Sequence, residues 1–172
     1  MITAVIHVVE SGRPGAIEAL ADTLSALVEG VAAGVVGDAV IVAADAADHD
    51  LALVADRTGA TLVARGADPW AAAAAVARRT WLLCLEAGDL PAEGWIRTLD
   101  RFTGTAAPDL LVGRMRRAHA PLPQRLAARI EALAGTRRVR AGDVVRRGAL
   151  AAGLPFAGRR PVRRLGGALV RD

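Results

Sequence analysis

A chain of 172 residues, 53% of them hydrophobic, is sized for one domain and is long enough to bury a core. A single cysteine excludes an internal disulfide, and no uncharged apolar run of 18 residues is present to span a bilayer. With no basic leader before the first apolar run, these features point to a soluble cytoplasmic protein, or one held peripherally at the inner face of a membrane.

All 22 basic residues are Arg, and they are unevenly spread. Residues 1–110 hold 7 Arg and 15 acids, for −8; residues 111–172 hold 15 Arg and 3 acids, for +12; the sum is the net +4. Such asymmetry suggests an anionic partner for the basic end, whether a phosphate-bearing ligand, a membrane surface or nucleic acid. The alternative is that the basic third packs beside the acidic two-thirds.

Ile2 to Val9 is almost continuously apolar and rich in β-branched residues, the pattern of a strand covered on both faces. Ser11-Gly12-Arg13-Pro14-Gly15 is a turn cluster. From Ala16 to Val31, apolar residues recur at helical spacing (Ile17, Leu20, Leu24, Leu27, Val28, Val31), so this segment is expected to be an amphipathic helix. Ala39 to Ala43 predicts a second buried strand, which runs into the acidic loop A-D-A-A-D-H-D. Leu51 to Thr58 predicts a short helix closed by Gly59, and Thr61 to Ala64 a short strand.

Ala71 to Arg79 is expected to be helical on propensity. Trp81 to Leu85 predicts a fourth buried strand, with Cys84 inside it as a small hydrophobe. Trp95, Ile96, Leu99 and Phe102 mark a helix from Trp95 to Phe102, and Asp109 to Val112 a fifth strand. Beyond it the pattern loosens. A helix is expected around Leu126, Ile130 and Leu133, and a strand and short helix around Gly142 to Val145 and Leu150 to Leu154. Alternating strands and helices predict an α/β fold, a mainly parallel sheet in a three-layer α/β/α sandwich with right-handed crossovers.

In such a sheet the loops after strands one, two and four converge at one edge, where ligands bind. The second loop brings Asp45, Asp48, His49 and Asp50, and the fourth brings Glu86 and Asp89. Two acidic loops facing one cleft repel unless a cation or a ligand's donors neutralise them; hard oxygen ligands suit Mg²⁺ or Mn²⁺. Read singly, each acid is equally an ordinary solvated helix cap. His7 reads as a satisfied core or edge histidine, and His119 has no partner for nucleophilic catalysis. S-G-R-P-G lacks the Lys and the spacing of a P-loop, which leaves a nucleotidyltransferase with little support.

With these loops placed, residues 1–155 resemble the family-2-type glycosyltransferases, which have the GT-A nucleotide-diphospho-sugar-binding fold. Ile41 to Asp50 stands where that family has its acidic nucleotide loop. The stretch from Leu85 to Trp95, L-E-A-G-D-L-P-A-E-G-W, stands where the family has L-D-A-D-D, and V-V-R-R-G-A-L-A-A-G at Val144 to Gly153 resembles a later family stretch. The resemblance implies a single GT-A-like domain over 1–172, with a nucleotide-sugar-binding core at 1–112 and an Arg-rich part at 113–172. It implies that Asp45 and Asp48 bind the nucleotide, and that Glu86 and Asp89 hold the diphosphate or a divalent cation.

The chain also departs from the family pattern. Ala44 replaces the first acid of the nucleotide loop, and Gly88 replaces the principal metal-binding Asp. Pro155 to Arg164 has no acid where the family carries its base, leaving Asp143 as a remote substitute. The implied partners are a nucleotide sugar and, for the Arg-rich end, an anionic membrane surface or lipid-linked acceptor rather than nucleic acid. The alternative is an inactive relative that acts as a binding module through its basic third.

Overall fold

The computed structural model describes residues 1–118, 126, 130, 131, 133–152 and 155–171. Eight strands form one sheet: β1 (Ile2–His7), β2 (Val36–Ala43), β3 (Thr61–Ala64), β4 (Trp81–Glu86), β5 (Asp89–Pro91), β6 (Val112–Arg117), β7 (Asp143–Arg146) and β8 (Val162–Arg171). Their spatial order is β3-β2-β1-β4-β7-β6-β8-β5. The first four strands are mutually parallel. Strand β7 then runs antiparallel to β4 and β6, while β6 and β8 are parallel. The expected α/β sandwich with a mainly parallel sheet is present.

The helices bounded within the described residues are α1 (Ala16–Ala32), α2 (His49–Thr58), α3 (Pro69–Val76), α4 (Trp95–Thr105) and α5 (Arg147–Ala151). Alternating residues of the central strands feed two cores, because successive side chains leave a strand on opposite faces. Ile2, Ile6, Ile41, Leu83 and Leu85 pack with Leu20 and Leu27 of α1, Leu51 of α2 and Trp95, Leu99 and Phe102 of α4. Val5, Val40, Val42, Leu82 and Cys84 pack on the other side with Trp70, Ala73 and Ala74 of α3 and Leu150 of α5. Burial on both faces is why β1 and β4 read as continuous apolar runs. Gly30 lets α4 close on α1, since a Cβ there would lie 2.3 Å from the Trp95 ring.

Several boundaries differ from the sequence expectation. Helix α3 begins two residues earlier, at Pro69. The Asp68 carboxylate accepts from the Trp70 and Ala71 amides, and a proline fits the first turn of a helix. The fifth expected strand lies later, at Val112–Arg117, and carries three arginines that periodicity could not place in a strand. Strand β5 and the ten-residue β8 were not expected. Each pairs with the other, β5 as the last strand of the sheet, where Pro91 is tolerated. His119 and most of the helix expected around Leu126 to Leu133 lie outside the described residues, as do Gly153 and Leu154.

Candidate functional site

Register places the ends of the parallel strands at one edge. His7 lies opposite Val42 of β2 and Glu86 of β4, and Ala64 of β3 lies opposite Ala43. The loops carrying the candidate acids therefore leave the same edge of the sheet, on either side of the end of β1.

The acids of the β2–α2 loop are engaged by their own backbone. One Asp45 carboxylate oxygen accepts from the Ala47 amide at 2.8 Å and the side chain is exposed. Asp48 caps α2, its Oδ1 accepting from the Asp50 and Leu51 amides at 3.1 Å. Both are the short-range bonds that Asx turns and N-caps make.

The acids of the β4–β5 turn are held differently. Asp89 is fully buried. Its Oδ2 accepts from the Glu86 amide at 2.8 Å, and Arg117 Nη2 donates to Oδ1 at 2.6 Å and Oδ2 at 2.8 Å. The same Nη2 lies 3.2 Å from Glu86 Oε2, which also accepts from Arg171 Nη1 at 2.7 Å. Arg171 Nη2 donates to the Ala87 carbonyl at 2.8 Å. Burial alone would raise the Glu86 carboxyl, but Arg117 and Arg171 outweigh it and hold Glu86 below its ordinary value. Desolvation opposes the Arg117 charge, and Asp89 and Glu86 more than restore it.

Arg117 thus brings Glu86 and Asp89 together; Asp45 and Asp48 make no bond to them among the described residues. Arg117 belongs to one of the Arg pairs (Arg116-Arg117) that the sequence offers as a bidentate phosphate binder, whereas Arg171 is not singled out in it except through the Arg excess of the C-terminal third. Gly88 explains the tightness of the turn. Its φ is +92°, and its amide donates to Thr23 Oγ1 at 2.9 Å and to the Ala19 carbonyl at 3.0 Å. An Asp at this position would have to adopt a left-handed backbone.

A divalent cation takes several oxygen donors at one point. Here both Asp89 oxygens and Glu86 Oε2 already accept hydrogen bonds from guanidinium or amide groups, and Asp89 has no solvent face. Among the described residues no three His, Cys, Asp or Glu side chains are arranged to hold a metal. The donor set, as folded, does not fit a divalent cation.

The remaining candidates separate. His7 is half-buried and edge-on to Trp70, with ring centroids 5.9 Å apart. Burial lowers its pKa, and Nε2 has no hydrogen-bond partner among the described residues, so it is not the satisfied histidine expected. Cys84 is fully buried and its thiol is pushed up by burial, as a core hydrophobe should be. Asp143 does not serve as a substitute base. It is fully buried at the start of β7, and Arg114 donates to both its oxygens, Nε at 2.6 Å and Nη2 at 2.8 Å. Glu131 binds Arg114 and Arg140 beside it, which makes a closed ionic network. A separate hollow of about 440 Å³ opens between α1 and α2, lined by Arg13, Glu18, Asp50, Leu53 and Arg57.

No protein-family model matches the chain, and no curated protein matches it in sequence. Solved structures do match. A mannosyltransferase from Pyrobaculum calidifontis, in complex with GDP-mannose and Mn²⁺, aligns with a TM-score of 0.65 at 14% identity, over 98% of this chain and 56% of its own. Glucosyl-3-phosphoglycerate synthase from Mycobacterium tuberculosis aligns at 0.56 and 15%, over 86% and 57%. Mannosyl-3-phosphoglycerate synthase from Rubrobacter xylanophilus aligns at 0.55 and 16%, over 87% and 54%. The chain therefore shares the GT-A fold of these structures. It spans a little over half the length of these neighbours. No helix among the described residues is long and apolar enough to cross a membrane.

Proposed function

We propose that this chain is a glycosyltransferase-like protein that binds a nucleotide-diphospho-sugar at the C-terminal edge of its parallel strands. The observation that carries this reading is that two acidic loops, after β2 and β4, leave that same edge on either side of β1 in a GT-A fold. Ligands of open α/β sheets bind there. In this reading Asp45 and Asp48 face the nucleoside, and the Glu86–Asp89 turn with its arginines faces the diphosphate. If transfer occurs, the acceptor hydroxyl oxygen bonds to the sugar as the bond to the diphosphate breaks, the nucleoside diphosphate leaves, and the hydroxyl proton goes to a base other than Asp143. Isothermal titration with UDP- and GDP-sugars tests the reading: saturable binding is expected, and no heat at millimolar ligand would overturn it.

A second reading is favoured by the exposure of Arg137, Arg138, Arg159, Arg160, Arg163 and Arg164. In it the chain is an inactive relative that docks an anionic membrane surface through its basic third. It predicts binding to anionic vesicles that weakens as salt is added.

A further inference from the structure

The charges at the β4–β5 turn balance without a metal. Glu86 and Asp89 contribute two negative charges, and Arg117 and Arg171 two positive ones, which is the charge a dication would bring. Position matters as much as sum. Arg117 Nη2 sits between the carboxylates, 2.6 Å from Asp89 and 3.2 Å from Glu86, so an ion bridging the two acids would have to expel it. The exchange would have to be made at a carboxylate whose side chain is only 1% exposed, where an incoming ion has no room for the further oxygen ligands it needs. Gly88 brings no side-chain ligand to the turn, and its φ of +92° with the amide bonded to Thr23 and Ala19 fixes the backbone there.

The arginines also retain donors. Among the described residues Arg117 bonds the acids through Nη2 alone, leaving Nε and Nη1. Arg171 is 48% exposed and reaches Glu86 from the rim. Guanidinium groups match phosphate oxygens in charge and in fork geometry.

We propose that Arg117 and Arg171 stand in for the divalent cation at this site, which takes a diphosphate group through guanidinium donors and without metal. The identity of the ligand rests on the nucleotide-sugar reading above; the exclusion of the metal does not.

Three measurements on the full chain test this. First, Mn²⁺ titrated alone is followed by electron paramagnetic resonance. The ion is expected to stay free, and capture by the protein would overturn the proposal. Second, inorganic pyrophosphate, UDP and GDP are titrated calorimetrically with excess EDTA and again with excess Mn²⁺. Pyrophosphate is expected to bind with the same Kd in both; binding that requires Mn²⁺, or no pyrophosphate binding, overturns the proposal. If pyrophosphate binds and neither nucleotide does, the metal-free site stands and the nucleotide-sugar reading falls. Third, Arg171→Ala, at a rim position that leaves the fold intact, is expected to weaken pyrophosphate about tenfold, as the loss of a charge-assisted hydrogen bond should. Glu86→Gln is expected to strengthen it by removing the one carboxylate that pairs with Arg171 and a negative charge beside Arg117, whereas a metal-ligand role for Glu86 would weaken it.

Discussion

Two acidic loops leave the same edge of the sheet, and the fold satisfies them in opposite ways. Asp45 and Asp48 are bonded to amides two or three residues along the chain. Glu86 and Asp89 are bonded to arginines 28 to 85 residues away, on β6 and β8. The first arrangement costs the protein little and leaves the acids in water. The second buries a charge, so it is stable only while both sides of the pair are present. The contrast also explains the lopsided charge of the chain. Part of the basic third is consumed by acids of the first two-thirds, while Arg114 and Arg140 are consumed by Asp143 and Glu131 nearby.

The comparison can be broken most forcefully at Arg117. Arg117→Ala strips Asp89 of its counter-charge, and a destabilisation of roughly 3–5 kcal/mol is expected in urea unfolding. Gly88→Ala forces a side chain into a left-handed backbone and should cost about 1–2 kcal/mol by the same measurement. Asp48→Ala, which removes only a helix cap, should cost about 1 kcal/mol. If Asp48→Ala proved as damaging as Arg117→Ala, the distinction between local and long-range compensation would fail.

Acid titration sharpens the same contrast. Glu86 and His7 both have folded-state pKa values below their unfolded ones. At high pH their contributions are fully present, and they are lost as pH falls, because the unfolded chain takes up protons first. Thermal unfolding followed against pH should therefore show stability falling below the ordinary histidine range and again below the ordinary glutamate range. Glu86→Gln should flatten the second fall and deepen the first, because the Glu86 charge partly offsets the lowering of His7 by burial. The smallest effect is expected from Asp45→Ala, within about 0.5 kcal/mol in urea unfolding, since its one local bond is made at an exposed loop.

Much of this molecule was legible in one dimension. The apolar runs at Ile2–His7 and Trp81–Glu86 are strands because both faces are covered, and the spacing of Leu20, Leu24 and Leu27 marks α1 because one face must be buried. The caps at Asp48 and Asp68 act within three residues, so nothing distant is needed to make them. The acidic loops could be assigned to one sheet edge for the same reason: parallel strands joined by helices all end on the same side.

What only the tertiary structure decided is how those acids are neutralised. Periodicity reads hydrophobic burial, and β6 and β8 carry arginines where a strand pattern expects apolar residues. Their places in the sheet come from pairing with β7 and with each other, and from charges that meet acids brought in by β4 and β5. A carboxylate's partner depends on distance in space, which sequence separation does not encode. Glu86 and Asp89 were recognisable as candidate ligands from the chain alone; that guanidinium groups meet them followed only from the fold.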